Sequence, residues 1–203
     1  MWVNVARVEV VRIDRDRLGE ASDVLARAFV DDPAWVWLVP DAAKRARLLP
    51  WLFRVGFDVT AADVYVTPGR VLGAARWLPP GRPPMRIGAT LKAIASTPFK
   101  LGAATAPFLA YGRAVEQMRA ETLPGPHWYL AGIGVDPSAQ RRGIGAALLQ
   151  PGLEAAASAG LPTVLLTNNE ANLHFYESHG FAVEREGRTP EGGPRAWAMV
   201  KPS

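Results

Sequence analysis

The sequence predicts a mixed α/β (α+β) fold, in which a largely antiparallel sheet contains one parallel βαβ crossover and carries helices on its faces. Three observations lead there. Short β-branched or apolar runs recur from residue 8 to residue 200. Stretches with helical spacing alternate with them. Between 128 and 167 an apolar run, a long Ala- and Leu-rich stretch and a second apolar run follow one another directly, which is the order of a crossover unit.

Residues 8–13 alternate and are β-branched, so a strand opens the fold. Asp14 or Asp16 then caps a helix whose apolar face holds Leu18, Val24, Leu25 and Phe29. Asp31, Asp32 and Pro33 end it, and Trp35, Trp37 and Leu38 lie on the loop towards Pro40. Residues 42–59 read as a second helix, apart from Pro50. Residues 63–67 and 71–78 flank the turn dipeptide Pro68-Gly69 and pair as strands. The run Leu78-Pro79-Pro80-Gly81-Arg82-Pro83-Pro84 cannot be regular structure and opens an insertion at about 79–127, with helix-like patches at 85–96 and 106–121. A strand at 128–135, a helix at 142–159, a strand at 162–167, a short helix around 173–179 and a strand at 181–186 follow. A last strand at 195–200 comes after the Gly192-Gly193-Pro194 turn. Pro151 falls inside the 142–159 helix, where a lost ladder bond predicts a kink. Trp51, Trp77, Trp128 and Trp197 lie in regular elements and read as core or sheet-face residues. An exposed sheet edge near Trp197 offers a surface for a homodimer.

A chain of 203 residues suits a single domain with an insertion. Near-half hydrophobic content with scattered charge describes a globular protein, and no apolar stretch is long enough to cross a bilayer, so no membrane partner is expected. Arg7, Glu9 and Arg12 interrupt the first apolar run, which excludes a secretory signal there and makes the cytoplasm the default location. Cysteine is absent, which removes disulfides, thiolate metal sites and a cysteine nucleophile. His127, His174 and His179 show no ligand spacing, so no metal is expected. The charge of +4, from 23 basic and 19 acidic residues, suits a polyanionic small ligand better than nucleic acid.

The most informative segment is Val135-Asp136-Pro137-Ser138-Ala139-Gln140-Arg141-Arg142-Gly143-Ile144-Gly145-Ala146, a basic, glycine-containing loop between a strand and a helix. Amides at a helix start have no intrahelical partner and sit at the positive end of the macrodipole, so they accept a pyrophosphate. Arg141 and Arg142 add permanent charge in a fork matched to phosphate oxygens. No Lys-Ser or Lys-Thr follows the glycines, so the loop is not a nucleoside-triphosphate loop. Leu148 stands where a dinucleotide fingerprint needs its third glycine. A tight turn with solvated arginines is the remaining alternative.

Gln140-x-x-Gly143-x-Gly145 resembles the Gln/Arg-x-x-Gly-x-Gly/Ala signature of the GNAT superfamily of N-acetyltransferases. Asn172-Leu173-His174-Phe175-Tyr176-Glu177 with Gly180-Phe181 resembles that family's Asn-x-x-Phe-Tyr-Glu…Gly-Phe segment, at the expected distance. The resemblance implies a GNAT-like fold and acetyl-CoA as co-substrate. It implies that the backbone of Ile133, Gly134 and Val135 pairs with the pantetheine arm, and that Gln140, Arg141, Arg142, Gly143, Ile144, Gly145 and Ala146 surround the pyrophosphate. Asn172 would contact the cofactor near its thiol, and Tyr176 would protonate the departing thiolate. A phenol of pKa about 10 can donate to a thiolate whose conjugate acid lies near 8.5. The acceptor expected is the primary amine of a small molecule, with a protein or peptide amine, or a noncatalytic acyl-CoA sensor, as the alternatives. Relatives tend to carry Glu where this chain has Leu166, so that carboxylate is missing.

Other reactive residues each carry a structural reading beside the functional one. Tyr176 could be a core aromatic like Phe175 and Phe181. Asp31 and Asp32 either finish the first helix or, with Trp35, line an amine pocket. His127 is a loop histidine or a proton relay, whereas His174 and His179 read as structural, the latter complementing a helix dipole.

Overall fold

The computed structural model describes residues 8–59, 62–81 and 87–203. Its elements are β1 (Val11–Arg12), α1 (Leu18–Ala28), α2 (Pro33–Leu38), α3 (Ala42–Val59), β2 (Asp63–Val66), β3 (Gly73–Leu78), α4 (Ile87–Leu101), α5 (Thr105–Thr122), β4 (Trp128–Val135), α6 (Ile144–Ser158), β5 (Thr163–Thr167), α7 (Leu173–Glu177), β6 (Ala182–Arg188) and β7 (Arg195–Lys201). Among the described residues these strands form one sheet in the order β1-β2-β3-β4-β5-β7-β6. Only β4 and β5 are parallel, and α6 makes their crossover. The expected sheet, crossover and insertion helices are therefore present. Arg82, Pro83, Pro84 and Met85, part of the Pro-rich run and of the 85–96 patch, fall outside the described residues.

Alternation along β3 explains the layering, because successive side chains of a strand point to opposite faces. Ala75 and Trp77 pack with Leu148 and Leu149 of α6. Ala74 faces the other way, into a cluster with Leu18, Val24 and Leu25 of α1, where Ala21 is also fully buried. The sheet thus separates an α6 side from a side built on α1 and α3. Helices α4 and α5 add to the second side, where Leu101, Phe108 and Tyr111 pack with Leu48, Leu49 and Leu52 of α3.

Four details differ from the sequence reading. The first strand shortens to Val11–Arg12. Neither Asp14 nor Asp16 caps α1, because a 3-10 turn at Arg15–Arg17 leads into it. Residues 33–38 form α2 rather than a loop: Asp32 accepts a hydrogen bond from the Ala34 amide at 2.9 Å and Pro33 takes the first helical position. The edge near Trp197 does not exist, since β7 lies between β5 and β6 and Trp197 pairs with Thr167 on one side and Glu186 on the other. The homodimer surface expected there is withdrawn. Pro151 lies inside α6 without ending it.

Candidate active site

The site begins where the parallel pair comes apart. β4 and β5 pair only at Trp128↔Thr163, Tyr129↔Val164 and Leu130↔Leu165. The cause lies on the other side of β4, where Arg76 faces Gly132 and Trp77 faces Leu130, leaving Ala131 as an extra residue. Such a bulge bends and twists its strand. β5 keeps its pairing with β7 from Thr163 to Thr167. The two strands splay, and Ala131, Gly132 and Ile133 face Leu166, Thr167 and Asn168 across a cavity of about 730 Å³.

On the α6 side, the loop after β4 ends in a set of free amides. Gly143 caps α6 with a φ of 79° and Arg141 has a φ of 60°, so two residues of this short loop adopt the left-handed conformation. The first intrahelical bond runs from the Ala147 amide to the Gly143 carbonyl, leaving the amides of Ile144, Gly145 and Ala146 without helical acceptors. A Cβ at Gly134 would meet Ala28 at 2.7 Å, so that position needs glycine for packing, whereas one at Gly145 would press on Phe175 at 3.3 Å. Asp136 anchors the corner: it accepts from the Ser138 hydroxyl at 2.6 Å and from Arg27 at 2.8 Å. Those two bonds, the Ser138 one first, hold its carboxyl down at about 2. Gln140 donates to the Val135 carbonyl at 3.3 Å, and Arg142 to the Ser138 carbonyl at 3.2 Å.

On the far side of the split, α7 presents Tyr176 and the turn before it presents Asn172, both lining the cavity. Tyr176 is only 6% exposed and rests against Phe175 and Phe181, with ring centres 5.2 and 6.0 Å away. Burial, followed by the charge of Asp32, pushes its phenol above the usual range. Asp32 also lines the cavity, and burial raises its carboxyl to about 6 against the opposing pull of the Ala34 and Trp35 amides. Trp35 lies beside it, stacked on Phe108 at 6.3 Å and edge-on to Phe53 at 5.8 Å.

The structure brings together Tyr176, Asn172, Asp32, Trp35 and Ile133 at one cavity. It does not bring Asp31 or His127 there, and Gly134, Val135 and residues 140–146 also lie outside the cavity lining. Asp31 points outward and pairs with Arg45 at 3.5 Å. Arg45 is itself buried and donates to the carbonyls of Val30, Val39 and Pro40, which holds the turn carrying Asp32. His127 sits 2.6 Å from Arg119 and 2.8 Å from the Gly125 carbonyl, and burial lowers its pKa. Sequence reasoning missed Arg76, Tyr111, Tyr129 and Asn168, which also line the cavity. Tyr111 donates to Asn168 at 2.7 Å, and Asn168 donates to Thr189 at 3.1 Å and to the Arg195 carbonyl at 2.7 Å. The one available signal was Arg76, a charge inside the otherwise uncharged strand Gly73–Leu78.

Residues 101–181 match the sequence model of the Acetyltransferase (GNAT) family. A 54-residue stretch is 52% identical to mycothiol acetyltransferase of Mycobacteroides abscessus, covering 25% of this chain and 18% of that protein. Mycothiol acetyltransferase of Thermomonospora curvata is 40% identical over 73 residues, 34% of this chain and 25% of that one. The matches thus span a quarter or less of these relatives. Along nearly its whole length the chain is similar in fold to a Corynebacterium glutamicum structure described as histone acetyltransferase HPA2 and related acetyltransferase, with a TM-score of 0.63, 22% identity and coverage of 95% and 94%.

Proposed function

We propose that this chain, which has the fold of the GNAT acetyltransferases and matches their sequence model over 101–181, transfers the acetyl group of acetyl-CoA to the primary amine of a small molecule. The observation that carries the reading is the β4/β5 split, which opens onto a cavity lined by both Asp32 and Tyr176. A pyrophosphate fits the amides of Ile144, Gly145 and Ala146 with Arg141 and Arg142 beside them. The pantetheine arm fits along Ile133, Gly134 and Val135, where β4 has lost its parallel partner.

In this mechanism Asp32, ionised at pH 7, attracts the acceptor's ammonium group and takes one proton from it. The neutral amine attacks the thioester carbonyl, a carbon–nitrogen bond forms, and the negative charge on oxygen rests against β4 amides near the Ala131 bulge. The carbon–sulfur bond then breaks, Tyr176 gives its proton to the thiolate, and it regains one from the new amide nitrogen. Burial weakens the Tyr176 phenol as an acid, but the thiolate leaves in the same enclosed space and gains basicity from the same cause.

Helices α4 and α5 contribute Ile94, Phe108, Leu109 and Tyr111 to the cavity wall, which favours a small acceptor over a peptide in an open groove. The relatives named mycothiol acetyltransferase accord with that. Within the superfamily, Pro151-Gly152-Leu153-Glu154 and Gly193-Pro194-Arg195-Ala196-Trp197 resemble puromycin N-acetyltransferase. Leu166 lines the cavity where that enzyme's relatives tend to carry Glu, which argues against puromycin itself. The test is mass-spectrometric detection of acetylated product from acetyl-CoA and an amine panel containing puromycin, aminoglycosides, polyamines, amino acids and short peptides. Product from a small amine supports the reading, and product from peptides alone moves the acceptor to proteins. Acetyl-CoA binding without any product points to a sensor.

A further inference from the structure

Among the described residues, Arg76 is a cation without a counter-ion. Its Nη2 donates to the Gly56 carbonyl at 3.0 Å, and its guanidinium carbon lies 6.0 Å from the centre of the Phe57 ring. Its Nε is buried with no hydrogen-bond partner, and no carboxylate among the described residues pairs with it. Glu116, the acidic residue that shares the cavity wall with Asp32, is already bonded to Arg119 at 2.5 Å. Asp58, on the same helix as Gly56, is bonded to Arg54 at 3.2 Å. A Cβ at Gly56 would stand 3.3 Å from Nη1, so α3 leaves room for this guanidinium where any other residue would press on it.

A half-buried guanidinium with a fully buried, unpaired Nε is costly unless an anion joins it. Arg76 lines the cavity that also holds Asp32. Tyr129 and Tyr111 connect the two: Tyr129 feels the charge of Arg76, and Tyr111 feels those of Asp32 and Tyr129. Desolvation drops the Arg76 pKa to about 10, still charged at any working pH. The cavity therefore has one acidic pole and one basic pole, separated by aromatic and aliphatic walls.

We propose that Arg76 is the specificity-determining anion subsite of the acceptor cavity, and that the acceptor is an amine bearing a carboxylate. This rests on the acetyl-transfer reading above and narrows its substrate class: Asp32 takes the ammonium, and Arg76 takes the carboxylate through a charge-assisted hydrogen bond. Arg76 acts here as a binding residue and takes no part in proton transfer.

The test compares matched amines with wild type and Arg76→Met: 6-aminohexanoate against hexylamine, and L-phenylalanine against L-phenylalaninamide. A hydrogen bond to a charged group contributes about 1.5–3 kcal/mol, so wild type should prefer the carboxylate member of the better-used pair by roughly 10- to 100-fold in kcat/KM. Arg76→Met should bring that ratio near one, chiefly through a higher KM for the carboxylate member. Arg76→Lys should restore part of it. The melting temperature of Arg76→Met without ligand should hold or rise, because the unpaired charge is gone; a marked fall with an unchanged ratio would make Arg76 structural and overturn the proposal. Equal kcat/KM values for wild type in both pairs would also overturn it, while leaving acetyl transfer intact. Should no amine be acetylated, the acetyl-transfer reading fails separately, and thermal shifts with 6-acetamidohexanoate decide on Arg76. A shift present in wild type and absent in Arg76→Met sustains the subsite, and no shift removes it.

Discussion

Gly152→Ala probes the contact between α6 and β3. A Cβ at this position of α6 would lie 2.2 Å from Cδ2 and Cε2 of Trp77 and 2.6 Å from Cζ2. Carbon atoms in contact prefer about 3.5–4.0 Å, so the helix or the ring must give by more than about 1 Å. Trp77 is fully buried, and Leu148, Leu149 and Met199 of the same cluster are buried around it, so the ring has nowhere to turn. In an open helix the change from glycine to alanine gains about 0.5–1 kcal/mol. Overpacking a filled core costs about 1–3 kcal/mol, and overlap with a rigid ring belongs at the upper end. The net expectation is a loss of roughly 2 kcal/mol, or about 4–8 °C in melting temperature for a chain of this size. Moving α6 also moves the amides at its start, so the KM for acetyl-CoA should rise. Gly112→Ala is the control: it lies in α5 with nothing within 4 Å of the added Cβ, and it should raise the melting temperature slightly. Thermal unfolding of the two variants side by side checks the argument. A melting temperature for Gly152→Ala at or above wild type would refute it.

Three further substitutions test the site. Tyr176→Phe should lower kcat by roughly 100-fold or more while acetyl-CoA affinity stays within about twofold, read by steady-state kinetics and by titration calorimetry; weaker cofactor binding at unchanged turnover would remove the acid role. Asp32→Asn keeps the helix cap but removes the charge, so acceptor kcat/KM should fall about tenfold or more at pH 7 and lose its acidic limb near pH 6. The same substitution reports on stability: the raised carboxyl favours the folded state below its unfolded pKa, and this contribution is lost as pH rises through about 6. The melting temperature of Asp32→Asn should therefore gain on wild type between about pH 4 and pH 8, and a gap that does not change with pH would contradict the burial of Asp32. Gly143→Val places a β-branched residue at a φ of 79° and should abolish acetyl-CoA binding in a thermal-shift assay, and retained binding would remove that loop as the cofactor site.

The loop proposed to hold the cofactor is legible in the sequence because its determinants are local. A strand, two glycines, two arginines and a helix start lie within one run of residues, and the conformation they need follows from glycine's freedom and the helix's unpaired amides. β4 was read at its observed limits, Trp128–Val135, for the same reason: its apolar run is uninterrupted. Residues 33–38 are not legible as a helix because Pro33 after two aspartates reads as a terminator, whereas proline also starts helices when a residue such as Asp32 caps them. The false edge at Trp197 had a different origin. Chain order placed Arg195–Lys201 last, but strand order in the sheet puts it inside, and no property of a single strand carries that information.

The cavity depends on pairs that sequence spacing cannot join. Asp32, at the cap of α2, and Tyr176, on α7, are 144 positions apart in the chain and meet only at the cavity. Arg76 and Trp77 are neighbours on β3 and point to opposite faces, one to α3 and the cavity, the other to Gly152 on α6. The bulge at Ala131 falls opposite this same pair, so the register slip that opens the split is set beside the residues that furnish its two sides. A mutation at Trp77 should therefore disturb both substrates, whereas one at Gly152 or at Arg76 should act first on the substrate of its own face.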